Sequence, residues 1–158
     1  MEKALRCTLP SGRFSKVEAA RSKIMRAIPG RGTRSTELAF SMALARCGIG
    51  GWRFHPRGLP AKPDFYFPDT KLAVFVDGCF WHGCPRCGHV PTKNRRFWSL
   101  KLSLNKARDR RDNSRLRRAG IKVIRIWEHE LSWPARQARL KRILKGLQMP
   151  PQADKAAR

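Results

Sequence analysis

The sequence predicts an α/β domain in which a mixed sheet is flanked by helices. Three observations carry that expectation. Two short runs rich in aromatic and β-branched residues, 64–67 and 72–76, are separated only by the turn residues Pro68-Asp69-Thr70-Lys71. A long helical stretch, about 95–119, follows them. A third apolar run, 121–127, comes directly after that helix, the order expected of strands connected through a packed helix. A chain of 158 residues suits one domain with a single core.

Taken in order, residues 1–15 mix Gly, Pro, Ser and charge without periodicity and are expected to form a mobile basic arm, leaving 16–148 as the domain and 149–158 as a disordered tail. A short helix is expected over 19–27, stopped by Pro29-Gly30. The next helix, 36–46, is predicted by Leu38, Met42 and Ala45 at helical spacing, with Glu37 in its first turn and Gly48, Gly50 and Gly51 ending it. Runs 64–67 and 72–76 read as a buried hairpin. A cysteine-rich loop spans 78–89. The helix over 95–119 carries an apolar stripe of Phe97, Leu100, Leu104 and Ala107, and Gly120 sits where a left-handed residue would stop it. Its remaining faces hold Arg96, Lys101, Lys106 and a run of arginines between Arg108 and Arg118. After the strand at 121–127, Leu140, Ile143, Leu144 and Leu147 mark a last amphipathic helix.

Charge narrows the function. Lys and Arg number 35 against 11 Asp and Glu, a formal net charge of +24. That excess implies a polyanionic partner, and nucleic acid fits because each neutralised phosphate releases condensed counterions. A membrane surface fits less well, since no basic helix has a clean Leu/Phe face and no run reaches transmembrane length. The first ten residues lack a signal-peptide core, so a cytoplasmic location is expected. In that reducing compartment, five cysteines with three crowded at Cys79, Cys84 and Cys87 favour metal over disulfides.

Those three thiols need a fourth donor to close a tetrahedral zinc site. His89 is nearest but only two residues from Cys87, a tight step, whereas His129 follows the expected strand and could reach back from a rigid element. His129 is the expected ligand. The plainer alternative is three small buried thiols without metal. His82, in the same loop, could be a zinc ligand, an ordinary hydrogen-bonded histidine, or a general base. Asp64 opens a buried apolar run, where a carboxylate is costly unless paired or coordinating a cation; a turn-capping Asp is the alternative. The following run ends at Val76-Asp77, so a hairpin could bring Asp64 and Asp77 together as hard donors for Mg²⁺. Phe80, Trp81, Phe97 and Trp98 lie in basic sequence; Phe97 reads as core, and Trp81 reads as a wedge that could enter a base step.

The motifs Leu59-Pro-Ala-Lys-Pro-Asp64-Phe, Val74-Phe-Val-Asp-Gly-Cys-Phe-Trp-His82, Arg96-Phe-Trp98, Asn105-Lys-Ala-Arg-Asp109 and Trp127-Glu-His-Glu130, with Arg21-Ser-Lys-Ile-Met-Arg-Ala-Ile28 before them, closely resemble the very short patch repair (Vsr) DNA mismatch endonucleases. The likeness covers about residues 20–131. It implies a restriction-endonuclease-like fold of the PD-(D/E)xK type and a metal-dependent nick 5′ to the mispaired thymine of a T·G pair, in repair of deaminated 5-methylcytosine. It further implies Mg²⁺ and zinc as cofactors. By the resemblance, Asp64 binds the catalytic metal, a backbone carbonyl at Val76 completes that site, His82 activates water, and Glu37 stands nearby. Phe80, Trp81 and Trp98 would intercalate beside the mismatch, Met25 would enter from the opposite groove, and Arg21, Lys23 and Arg96 would contact the DNA. Two departures stand out. Asp77 occupies the place of a second active-site histidine in one well-known form of the family, and the zinc ligands are permuted to Cys79, Cys84, Cys87 and His129. A monomer is expected, because an asymmetric mismatch does not call for two-fold symmetry. A cooperating cytosine methyltransferase or mismatch-repair protein leaves no mark in the sequence.

Overall fold

The structure, a computed structural model, describes residues 34–132. The expected arm, the helices at 19–27 and 140–147, the tail, and the candidate DNA contacts Arg21, Lys23 and Met25 lie outside the described residues. The elements run α1 (Arg34–Arg46), β1 (Arg53–Phe54), β2 (Phe65–Phe67), β3 (Leu72–Asp77), α2 (Arg95–Arg118), β4 (Lys122–Trp127) and α3 (Glu128–Ser132). The four strands form one mixed sheet in the order β1-β2-β3-β4. The first two pairings are antiparallel and β3–β4 is parallel, with α2 making the crossover. None of the described helices is long and apolar enough to cross a membrane.

Alternation along β3 explains the layers. All six of its residues are buried, as in a strand covered on both faces. Val74 and Val76 pack with Phe65, Phe67 and Ile126 against Phe40 and Leu44 of α1. Ala73 and Phe75 face the other way, with Leu116 of α2 and Ile121. Helix α2 ends as expected: Gly120 has φ 72°, its N–H donates to the Arg117 carbonyl, and the Ile121 N–H donates to the Leu116 carbonyl, both at 3.0 Å. That is a Schellman closure, and it delivers the chain straight into β4.

Both helices were expected, but their inward faces differ from expectation. In α1 the stripe of Leu38 and Met42 points to solvent, at 57% and 46% exposure, while Phe40 and Leu44 are fully buried. Each pair has i, i+4 spacing, and Phe40 wins the core by stacking edge-on against Phe65 at 4.9 Å. In α2, Phe97, Leu104 and Ala107 are only half-buried and Leu100 is exposed; Leu102 and Leu116 are the buried residues. Neither β1 nor α3 was expected.

Candidate active site and metal centre

The parallel β3–β4 pair sets out the metal centre. Asp77 is in register with Trp127, so the cysteine loop after β3 and the short helix α3 after β4 emerge side by side. Helix α3 is fixed at its start by Glu130, whose carboxylate accepts from the Trp127 N–H at 2.8 Å, half of a capping box. Glu128 accepts from the Cys79 N–H at 3.2 Å and ties helix to loop. Between them Cys79, Cys84, Cys87 and His129 converge, with all four donor atoms within 4.8 Å of one another. The His129 Nδ1 stands 3.1, 3.6 and 3.4 Å from the sulfurs of Cys79, Cys84 and Cys87. Cys84 and Cys87 sulfurs are 3.6 Å apart. A tetrahedral zinc with its usual bond lengths needs edges of about 3.6 Å between sulfur and nitrogen and about 3.8 Å between sulfurs, so the cage fits the ion. The donor set and its closure therefore assign a structural metal site. His89 is exposed and packs beside Phe80 instead.

Without a cation the thiols of Cys79 and Cys84 are pushed in opposite directions. Burial, and then the hydrogen bond with Cys87, push Cys79 up to about 12. Burial also opposes ionisation of Cys84, but hydrogen bonds from Cys87 and the Arg86 N–H outweigh it and lower its pKa. Backbone geometry is equally committed: the Gly88 N–H donates to the Cys84 carbonyl at 2.9 Å, and a Cβ on Gly88 would stand 2.5 Å from that oxygen.

A second cluster gathers at the same open end of the hairpin, around the residue that precedes β2. Asp64 precedes β2 and its Oδ2 accepts from the Val76 N–H at 2.7 Å. In an extended strand a residue's N–H and carbonyl leave toward the same edge, so the Val76 carbonyl is directed to Asp64's side. Glu37, in the first turn of α1, and His55, just after β1, complete the cluster with Asp64. Burial pushes the Asp64 carboxyl up to about 6, Glu37 and Asp77 add to the rise, and the Val76 N–H and His55 oppose it. A carboxylate so crowded fits a cation better than a bare cavity. His55 was not singled out from the sequence, where it is a lone histidine in a Gly- and Pro-rich stretch.

Asp77 is elsewhere. Its carboxylate is gripped by Arg125, with Nη2 to Oδ1 at 2.7 Å and Nε to Oδ2. Both oxygens already serve Arg125, and Asp77 is not among the donors grouped with Asp64, so the structure does not bring the two acids together as expected. The cause is the strand period: Asp77 lies on the face of Phe75, where Arg125, in register with Phe75, places its guanidinium 4.5 Å from the ring centroid. Arg125 continues to Asp109 Oδ1 at 3.1 Å and Asn113 Oδ1 at 3.1 Å. Burial would lower the Arg125 pKa, but Asp77 and Asp109 hold it above its ordinary value.

His82 joins this network. Its Nδ1 is 2.7 Å from Asp109 Oδ2 and 3.6 Å from Asp77 Oδ1. Burial would raise the Asp109 carboxyl, yet the hydrogen bond and charge of His82, with Arg125, keep it below the usual carboxylate range. An ionised carboxylate only accepts, so Nδ1 is the donor in this bond, and in the neutral ring Nε2 is then the nitrogen without a proton. Of the three roles open to His82, zinc ligation is not supported: it stands outside the Cys₃His group. Asp109 and Arg125 were not named as site residues from the sequence.

The aromatic residues also come together. Phe80 lies edge-on to Trp81 at 5.1 Å and to Trp98 at 5.2 Å, and Trp81 and Trp98 are 6.0 Å apart. All three are half-buried. The Asn105 side chain donates to the Trp81 carbonyl at 2.9 Å, fixing the loop to α2. Arg96 is exposed in the first turn of that helix, two residues before Trp98.

Known proteins of similar sequence identify the family. The family described as "DNA mismatch endonuclease Vsr" matches residues 15–87. The type II nicking enzyme V.NaeI of Lentzea aerocolonigenes is 43% identical over 121 residues, covering 72% of this chain and 70% of that protein. The type II nicking enzyme V.XorIIP of Xanthomonas oryzae pv. oryzae is 44% identical over 99 residues, 60% of this chain and 72% of the relative. The DNA mismatch endonuclease Vsr of Escherichia coli K12 is 40% identical over 114 residues, 70% of each chain. A mixed sheet between helices and a Cys₃His centre are consistent with that nuclease fold, and the chain belongs to the Vsr family of DNA endonucleases, hydrolases of the phosphodiester backbone.

Proposed function

We propose that the chain nicks one strand of duplex DNA 5′ to the mispaired thymine of a T·G pair, starting very short patch repair of deaminated 5-methylcytosine. The observation that carries this reading is the approach of two chemically different clusters at one end of the sheet. Glu37, His55 and Asp64 offer donors to a divalent cation, Mg²⁺ in the simplest case. The His82–Asp109 pair offers a base with a fixed tautomer. A cation at Asp64, supported by the Val76 carbonyl, would polarise the scissile phosphate and offset charge as the bond to the attacking oxygen forms and the bond to the departing sugar oxygen breaks. His82 Nε2 takes the proton from the attacking water, and Asp109 stabilises the imidazolium that results. Phe80, Trp81 and Trp98 wedge beside the mismatch, where weakened pairing makes unstacking cheaper. Arg96 and the arginines of α2 hold the phosphate backbone.

Asp109→Asn tests the base. It is expected to slow nicking by about 10²- to 10⁴-fold, the usual range for a mispositioned general base. Zinc content and DNA affinity should be retained, and an unchanged rate would remove His82 from the mechanism.

A second reading is favoured by the names of the relatives, several of which are nicking enzymes. In it the chain nicks a preferred duplex sequence without needing a mispair. Labelled T·G and T·A duplexes of identical flanking sequence separate the two. Nicking confined to the T strand of the T·G duplex supports the first, and equal nicking of both duplexes overturns it.

A further inference from the structure

We propose that His55 is a metal ligand of this chain, forming with Glu37 and Asp64 a carboxylate-carboxylate-imidazole site that takes Mn²⁺ in preference to Mg²⁺. The inference rests on the reading above that Asp64 carries the cation. It adds a donor to that site and changes the ion the site selects.

Three elements converge to make it. Glu37 comes from the first turn of α1, Asp64 from the residue before β2, and His55 from the residue after β1. The His55 N–H donates to the Asp64 carbonyl at 2.9 Å, so the two residues are clamped backbone to backbone where the β1–β2 ladder ends. His55 also holds φ at 44°, a left-handed conformation costly for a residue with a Cβ. Its ring is further restrained against Phe54, with centroids 3.8 Å apart.

Donor spacing suits a shared ion. The His55 Nε2 is 3.3 Å from Glu37 Oε2, and one donor atom from each of the three residues lies within 4.8 Å of the others. Neighbouring ligands on an octahedral ion with bonds of about 2.1 Å stand roughly 3 Å apart. Glu37 is buried while the His55 ring is 41% exposed. The site is thus anchored on the protein side and open on the other, where water and a phosphate oxygen can complete the shell. A Glu–His ion pair alone would account for the 3.3 Å contact, but not for a second, poorly solvated carboxylate drawn up beside it.

The donor types decide the ion. Mg²⁺ prefers an all-oxygen shell and keeps several waters, and it gains little from an imidazole nitrogen. First-row transition ions accept nitrogen readily, and Mn²⁺ combines that tolerance with the octahedral, oxygen-rich shell that two carboxylates and a phosphate provide.

The test is a Mn²⁺ titration of zinc-loaded protein without DNA, followed by the electron paramagnetic resonance of free Mn²⁺ and repeated with Mg²⁺ as competitor. Wild type is expected to bind one Mn²⁺ at least about tenfold more tightly than Mg²⁺. His55→Ala and His55→Gln should each weaken Mn²⁺ by about tenfold or more while leaving Mg²⁺ within about threefold, collapsing the preference. Asp64→Ala should lose both ions. No preference in the wild type, or unchanged Mn²⁺ affinity in both His55 variants, overturns the role of His55. If Asp64→Ala alone then loses the ion, the Asp64 reading survives; if it too binds as wild type does, both fall.

Discussion

Asp64→Asn is expected to lower the nicking rate by about 10³-fold or more, because the substitution removes the anionic donor on which the cation depends while keeping the shape of the side chain. DNA binding should persist, since the basic faces of α2 and the aromatic cluster are untouched. The same variant should be more stable than wild type in metal-free buffer at neutral pH. Asp64 is raised from 3.8 to about 6 in the folded chain, so above pH 6 the folded state holds an ionised carboxylate at a desolvated position that the unfolded state solvates freely. The cost is up to about 3 kcal/mol at 1.36 kcal/mol per pK unit. It is present above pH 6, shrinks as the pH falls toward 4, and is absent below the unfolded value. Melting curves of the two proteins should therefore separate at pH 7 and converge near pH 4. An Asn variant that nicks at the wild-type rate would remove Asp64 from the chemistry, and one that melts lower at pH 7 would contradict its desolvation.

Loss of the structural metal should have the second largest effect. Stripping zinc with a chelator, or replacing Cys84 by Ala, is expected to lower stability by several kcal/mol, below the ~10–16 kcal/mol that zinc gives peptides with no other core. Nicking should be lost with it, for the loop that the ion braces carries both His82 and the Phe80–Trp81 pair. Gly88→Ala is a milder route to the same state: the new Cβ would be driven against the Cys84 carbonyl, so zinc content should fall although every ligand is present. Metal analysis beside thermal unfolding checks all three. Full activity in a zinc-free preparation would show that the loop holds its shape unaided.

What could be read in the sequence divides along physical lines. The hairpin and β4 were legible because buried strands are short, apolar and β-branched, and the three cysteines of the Cys₃His group because their crowding in one loop has few other uses. β1 was not, since Arg53 and Phe54 are exposed and become a strand only by pairing with Tyr66 and Phe65. Nor was the inward face of α1, for Leu38/Met42 and Phe40/Leu44 are equally periodic and only the ring of Phe65 chooses between them. In the site, Asp109 was quoted within a motif but hidden among the charges of α2, and His55 had no neighbour in sequence to mark it. Arg125 did leave a signal. A guanidinium inside Val123-Ile124-Arg125-Ile126, an apolar run expected to be buried, requires a carboxylate partner on its own face, and Asp77 is the acid that the β3 period puts there.

That partnership makes Asp77 and Arg125 a single electrostatic unit, in which neither can be replaced without stranding the other's charge. Placing a histidine at 77 would strand a guanidinium with half its counter-charge gone, so changing either residue alone should cost more than changing both. Only the replacement of both would leave neither charge buried without its partner.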